Sequence, residues 1–200
     1  MAHPPKVLAI VGSYRKSGNV DAAVSAVLAA SEAAGARTEK IYLLDQHIEF
    51  CTNCRTCMQE PGTERGKCVL HDDLENLLQT IEAADAYVIG APVNFYNLNA
   101  LTRRFMERCV GFAYWPWGKG APNIRNPVVY KKCVLVSASG APAWMARWFT
   151  GTYGALKGLA RLFGARPIGC LWVGLVNQEG VALSKQQTLK AKALGLRLAT

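Results

Sequence analysis

No apolar stretch in this 200-residue chain reaches the length of a membrane span before Gly, Pro, Arg or Lys interrupts it. The start, Met1-Ala2-His3-Pro4-Pro5-Lys6, has no apolar core between a basic end and a cleavage site. It therefore does not read as a secretory leader, and a cytoplasmic protein is expected. No run of five basic residues occurs, and aromatic residues do not interleave with basic ones. Nucleic acid is accordingly not the expected partner in spite of a formal charge of +9, which equally suits a protein holding phosphorylated cofactors. Histidine is scarce: His3, His47 and His71 are isolated, so neither a Ser-His-Asp set nor a metal-binding His pair is suggested. Internal repeats and low-complexity tracts are absent. What remains is ordinary globular composition, half hydrophobic and 18% charged, in a length that fits one sizeable domain over 1–200.

Short apolar runs of the kind buried on both faces recur along the chain. They are Lys6 to Val11, Ala86 to Ala91 (ended by Pro92), Cys133 to Ser137 and Pro167 to Gly174, and the more polar Arg37 to Leu44 reads as a further strand. Between them lie helical patterns: Val20 to Leu28, a helix capped by Asp72 and burying Leu74, Leu77, Leu78 and Ile81, and another starting near Asn99. One long helix is expected over Trp144 to Phe163 and a terminal one over Ser184 to Leu198. This alternation predicts an α/β fold, a doubly wound parallel sheet of five strands with helices on both faces. Ligands of such sheets bind beyond the carboxyl ends of the strands, where the unusual loops of this sequence fall. Two segments stand outside the alternation: a cysteine-rich loop at 51–68 and an irregular insertion at 114–130, whose Trp115 and Trp117 suit a subunit interface.

The loop after the first strand is Gly12-Ser13-Tyr14-Arg15-Lys16-Ser17-Gly18-Asn19. A helix N-terminus leaves N–H groups unpaired and carries partial positive charge, so it attracts phosphate. Ser13 and Ser17 can donate hydroxyl bonds, Arg15 adds charge, and the glycines allow close approach. The Gly-Lys-Ser/Thr ending of a triphosphate loop and the G-x-G-x-x-G of a dinucleotide fold are both missing, which favours a monophosphate.

The segment resembles the phosphate loop of the flavodoxin-like NAD(P)H-dependent FMN reductase family, with matches at Gly12, Ser13, Arg15, Gly18 and Asn19. Val20 stands where that family usually has Ser or Thr, so only its backbone N–H is offered to the phosphate. A second family loop is similar to Pro92-Val93-Asn94-Phe95-Tyr96-Asn97, leading to Arg104, Phe105, Glu107 and Arg108. There Phe95 and Tyr96 offer flat apolar surface, and backbone amides with Asn94 or Asn97 can bond the polar edge of a flavin ring. The third is similar to Ser137-Ala138-Ser139-Gly140. The resemblance implies a flavodoxin-like strand order 2-1-3-4-5, bound FMN rather than FAD, a homodimer or homotetramer, and NAD(P)H or a ferredoxin-type carrier as electron donor.

Four of the seven cysteines gather as Cys51-x2-Cys54-x2-Cys57-x10-Cys68. Three thiolates at this spacing can wrap one corner of a cubane, with a fourth arriving from beyond the next turn. A zinc tetrahedron, which usually takes two separated Cys-x2-Cys knuckles, and a metal-free loop are the alternatives. Iron-sulfur flavoproteins within the same family carry a compact motif of this kind that binds a 4Fe-4S cluster, although the final spacing here is longer than is usual among them. Cys109, Cys133 and Cys170 lie in apolar surroundings and are expected in the core, and His71 is expected on the surface. The functional expectation is an FMN-dependent oxidoreductase in which the flavin carries the chemistry and no acid-base side chain is essential. A non-enzymatic electron carrier and a cofactor-free binding module are the competing readings.

Overall fold

The computed structural model describes residues 3–178, 180 and 183–200. Met1 and Ala2, part of the non-leader reading, lie outside them. Strands β1 (Lys6–Val11), β2 (Arg37–Tyr42), β3 (Ala86–Asn94), β7 (Lys131–Ala138) and β8 (Ala165–Val173) form a parallel sheet in the order β2-β1-β3-β7-β8. Counting only these strands, this is the 2-1-3-4-5 order expected of a flavodoxin-like fold. The short strand β4 (Asn97–Leu98) folds back antiparallel on β3, and β5 (Ala113–Tyr114) pairs with β6 (Asn123–Ile124) in a separate two-stranded ladder.

Side chains alternate across a strand, so each apolar run supplies two cores. Leu8, Ile10, Tyr87, Ile89 and Leu135 face α2 (Leu74–Glu82), α3 (Ala100–Arg108) and α5 (Thr152–Leu162). Val7, Ala9, Val11, Val88, Val134 and Val136 face α1 (Asn19–Ala33) and α6 (Lys185–Ala199). These two layers, both buried, hold the carboxyl ends of β1, β3 and β7 in one row.

Several boundaries differ from the sequence reading for identifiable reasons. Strand β3 runs through Pro92 to Asn94, with Pro92 in register with Ala138. Strand β1 pairs no further than Gly90, so at Pro92 only β7 is a neighbour, and a residue without an N–H is tolerated there. The long helix expected over 144–163 is two, α4 (Ala143–Phe149) and α5. The chain extends at Thr150, and the Gly151 N–H donates to the Tyr96 carbonyl at 2.9 Å, so a tertiary contact interrupts the helical ladder. Strand β2 stops at Tyr42 and gives way to a tight turn at Leu43–Asp45. The residue preceding α2 is Asp73, whose side chain makes no cap; the Asp72 carboxylate instead accepts from the Leu74 N–H at 3.1 Å, so Asp72 does bond the first amide of the helix. Helix α6 does begin at a capping box, Ser184 with Gln187, and Asn99 caps α3 by accepting from the Thr102 N–H at 3.1 Å.

Candidate active site

Helix α1 starts at Gly18 with no side-chain cap, which leaves the amides of its first turn for a ligand. The preceding loop is fixed from behind. The Gly12 carbonyl accepts from Asn99 Nδ2 at 2.7 Å and from Thr102 Oγ1 at 2.9 Å, both buried side chains of the α3 start. A Cβ on Gly12 would collide with the Thr102 hydroxyl, so glycine is required for this contact. Ser13 Oγ accepts from the Arg15 N–H at 3.1 Å, closing a small turn that leaves the Arg15 side chain exposed. Arg15 forms no ion pair among the described residues.

One acid sits in this otherwise electropositive turn. Burial would raise the Asp21 carboxyl, but bonds from Lys40 Nζ (3.0 Å), the Ser17 N–H (2.9 Å) and the Tyr42 hydroxyl (2.9 Å) outweigh it and hold it below its ordinary range. Its charge is met by Lys40, so it does not cancel the helix terminus.

A cavity of about 340 Å³ opens above this terminus. Ser13, Arg15, Gly18, Asn19 and Val20 line it from the first loop and the start of α1, Pro92, Val93 and Asn94 from the carboxyl end of β3, and Ser139 and Gly140 from the loop after β7. An uncapped helix start, an unpaired arginine and three converging strand ends with their loops fit the phosphate and ring of a flavin mononucleotide. Tyr14 and Val176 also line the cavity and escaped the sequence reading. Tyr14 was legible only as a variable position of the loop, yet its hydroxyl accepts from the Leu101 N–H at 3.2 Å and ties the loop to α3.

Five expected contacts, Ser17, Phe95, Tyr96, Asn97 and Ser137, are not among the residues lining this cavity. Ser17 has a left-handed backbone (φ 64°), with its N–H given to Asp21. Ser137 is buried inside the sheet, its hydroxyl donating to the Ala91 carbonyl at 2.8 Å. Phe95 and Tyr96 form the two-residue tip of the β3–β4 hairpin, with φ of 45° and 65°, and that turn sends both rings outward, 98% and 74% exposed. Such tips ordinarily carry Asn-Gly, so two aromatic residues there are strained. Asn97 pairs with Asn94 across the hairpin, and its Oδ1 accepts from the Leu98 N–H at 2.8 Å.

The cysteine loop builds a second cavity, of about 480 Å³, lined by Cys51, Cys54, Cys57 and Cys68 together with Arg55, Arg108 and Trp115. Among the described residues no three potential ligands converge to the spacing of a single metal ion. Three of the four sulfurs accept hydrogen bonds: Cys51 from the Asn53 N–H (3.4 Å), Cys54 from the Thr56 hydroxyl (3.4 Å) and Cys68 from Arg108 Nη2 (3.5 Å). The Thr56 hydroxyl is the main reason the Cys54 thiol is lowered. Burial, reinforced by the other three cysteines, pushes the Cys57 thiol up, as expected where four thiols share one space. Cys109, Cys133 and Cys170 are buried away from this cavity, and burial raises all three thiols. His71 is exposed.

Long-range arginine contacts hold this loop, and no sequence spacing announces them. Arg65 is paired with Glu75 (2.9 Å) and Glu82 (3.0 Å) of α2. Arg125, from the insertion, donates to the carbonyls of Cys57, Glu60 and Gly111 at 3.1, 2.8 and 3.0 Å. The Arg55 guanidinium lies between the rings of Trp115 and Trp117, 4.0 and 4.1 Å from their centroids. The two tryptophans expected at a subunit interface therefore clasp the cysteine loop.

Residues 5–148 match the family described as NADPH-dependent FMN reductase. The chain belongs to the NADPH-dependent FMN reductase family, a family of FMN-dependent oxidoreductases. It is 28% identical over 196 residues to an iron-sulfur flavoprotein of Archaeoglobus fulgidus, a match covering 97% of this chain and 79% of that one. A Methanocaldococcus jannaschii iron-sulfur flavoprotein is 35% identical over 103 residues, about half of each chain (52% and 51%). Among solved structures, the NAD(P)H:quinone oxidoreductase of Methanothermobacter marburgensis shares the fold with a TM-score of 0.71 at 16% identity, over 98% of this chain and all of that one. A flavone reductase gives 0.66 at 21% identity, with 62% of its length covered. Among the described residues, no helix is long and apolar enough to cross a membrane.

Proposed function

We propose that this chain is a cytoplasmic FMN- and iron-sulfur-dependent oxidoreductase that draws electrons from NAD(P)H or a reduced ferredoxin-type carrier. The observation that carries the reading is the uncapped start of α1 opening into a cavity shared by the loops after β1 and β7 and the carboxyl end of β3. Ser13, Arg15, Gly18, Asn19 and the Val20 N–H would hold the phosphate, while Pro92, Val93, Asn94, Ser139 and Gly140 would border the ring. Asn99 and Thr102 keep the Gly12 carbonyl turned to α3, so that the loop can present donors to an anion. Ser139 keeps its hydroxyl between Trp172 Nε1 and the Ala141 carbonyl, both 2.9 Å away, which fixes the third loop.

Cys51, Cys54, Cys57 and Cys68 would hold a 4Fe-4S cluster. The names of the flavoprotein relatives support this, and so does the spread of the four thiols around a cavity. A mononuclear zinc site usually takes two separated Cys-x2-Cys knuckles, whereas three of the four cysteines here fall on one short loop. When bound, FMN supplies exchange of one or two electrons and the cluster supplies single-electron steps.

Anaerobic titration of the purified protein with NADPH or NADH tests the reading. Bleaching of the flavin band and catalytic oxidation of the nucleotide are the expected results. A colourless protein that stays colourless with added FMN would overturn it, and an intact flavin that neither nucleotide reduces would favour a carrier.

We propose further that the chain assembles as a homodimer or homotetramer through aromatic residues beside the flavin cavity. Phe95 and Tyr96 on the hairpin and Trp144, Trp148 and Phe149 on α4 are all largely exposed, a concentration unusual for a free surface. Sedimentation of the Trp148→Ser, Phe149→Ser double variant should give a smaller species than the native chain. An unchanged mass would return this face to solvent.

A further inference from the structure

Two arginines of the cysteine cavity have donors that the fold leaves unused. Arg55 stands between Cys54 and Cys57 in a left-handed conformation (φ 61°), and its Nη2 donates to the Trp115 carbonyl at 2.6 Å. Arg108, in the last turn of α3, gives Nη1 to the Glu49 carbonyl and Asp72 Oδ2, each at 2.6 Å. Its Nη2 goes to Asp72 Oδ1 at 3.2 Å and Cys68 Sγ at 3.5 Å. The Nε atoms of both arginines are buried with no partner among the described residues. Native structures rarely keep a buried N–H unpaired, and an orphan donor on each of two cavity-lining arginines points to acceptors inside that cavity.

We propose that Arg55 and Arg108 donate N–H bonds to the sulfur atoms of the cluster, with Arg55 adding positive charge, and thereby raise its midpoint potential. The inference rests on the four-cysteine cluster proposed above. A cubane with four thiolate ligands is negative when oxidised and more negative when reduced, so a nearby cation and N–H···S bonds favour the reduced form. The two arginines differ in kind. Asp72 offsets the charge of Arg108, which leaves Arg108 a directional donor to Cys68. Arg55 has no carboxylate partner among the described residues and contributes its whole charge. The tryptophan clasp holds that charge half-buried over the loop, where it is screened less than in bulk water.

The test is an EPR-monitored redox titration of anaerobically prepared holoprotein, with iron content and the flavin potential measured on the same samples. Arg55→Gln should retain its iron, lower the cluster potential by at least a tenfold change in the reduction equilibrium (about 59 mV for one electron), and leave the flavin potential in place. Arg55→Lys should recover part of the loss. Mere opening of the loop to water would move the potential upward, so the sign separates charge donation from a structural role. Arg108→Lys, which keeps charge and removes the fork and Nε, should also lower the potential. Full iron with an unmoved or raised potential in Arg55→Gln would overturn this proposal alone. An iron-free native protein would overturn the cluster reading and this proposal with it.

Discussion

Serine at Cys51, Cys54, Cys57 or Cys68 should strip the chain of most of its iron, whereas Cys170→Ser should leave about four iron atoms and four sulfides per chain. The four positions border one cavity, and three of their sulfurs already accept N–H or O–H bonds of the kind that favour thiolate. Serine offers a hard, poorly acidic oxygen where soft iron-sulfur chemistry needs a thiolate. Cys170, by contrast, is a buried thiol of β8 that burial has raised, and serine there disturbs packing without touching the site. The long interval before Cys68 has a structural account. Gly66 lies so close to the Cys57 carbonyl that a Cβ would not fit, and Arg108 reaches Cys68 directly, so the ten intervening residues loop back on themselves. Analysis of protein handled without oxygen checks the set. Loss of iron on Cys54→Ser but not on Cys68→Ser would mean that the fourth ligand is another residue, and iron-free native protein would sink the cluster altogether.

The sequence exposed those parts of the fold whose physics is local. Lys6–Val11 is buried on both faces because every residue after Lys6 is apolar, and Asn99 caps a helix because its side chain bonds an amide three residues on. The loop from Gly12 to Asn19 was readable because an uncapped helix start needs only neighbours in sequence. What was hidden depends on distant partners. The break between α4 and α5 comes from Gly151 bonding Tyr96, some fifty residues earlier. Phe95 and Tyr96 looked like a stacking pair, yet a two-residue hairpin that no Asn-Gly announced turns both rings out. Ser137 and Ser139 are separated by the end of β7 at Ala138: the first is sealed in the sheet with its hydroxyl on the Ala91 carbonyl, and the second lies past the strand and lines the cavity. Arg125 carries no motif at all, since its partners are backbone carbonyls spread from Cys57 to Gly111.

The same reasoning makes Asp72 the residue whose loss should cost the fold most. Its carboxylate, 0% exposed, accepts from Arg108 at 2.6 and 3.2 Å, from the Glu49 N–H at 2.8 Å and from the Leu74 N–H at 3.1 Å. One group thus ties the entrance of the cysteine loop, the start of α2 and the end of α3. Asp72→Ala leaves Arg108 buried without its counter-charge, a change that costs about 3–5 kcal/mol in comparable pairs. Urea unfolding at fixed FMN concentration measures it, since bound cofactor adds its own stabilisation. Asp72→Leu combined with Arg108→Met should cost less than Asp72→Ala alone, because it removes both charges together. The pH dependence follows from the direction of the shift. Burial would raise the Asp72 carboxyl, but Arg108 and the two amides hold it below its ordinary range. Its contribution is therefore fully present above the ordinary carboxylate range and is lost as pH falls through the depressed native value. Between neutral pH and that range Asp72→Ala should show a constant deficit, which narrows only in stronger acid. A loss below about 1 kcal/mol, the scale of an exposed pair, or a deficit that grows toward low pH, would mean that the pair is not what holds the cysteine loop against α3.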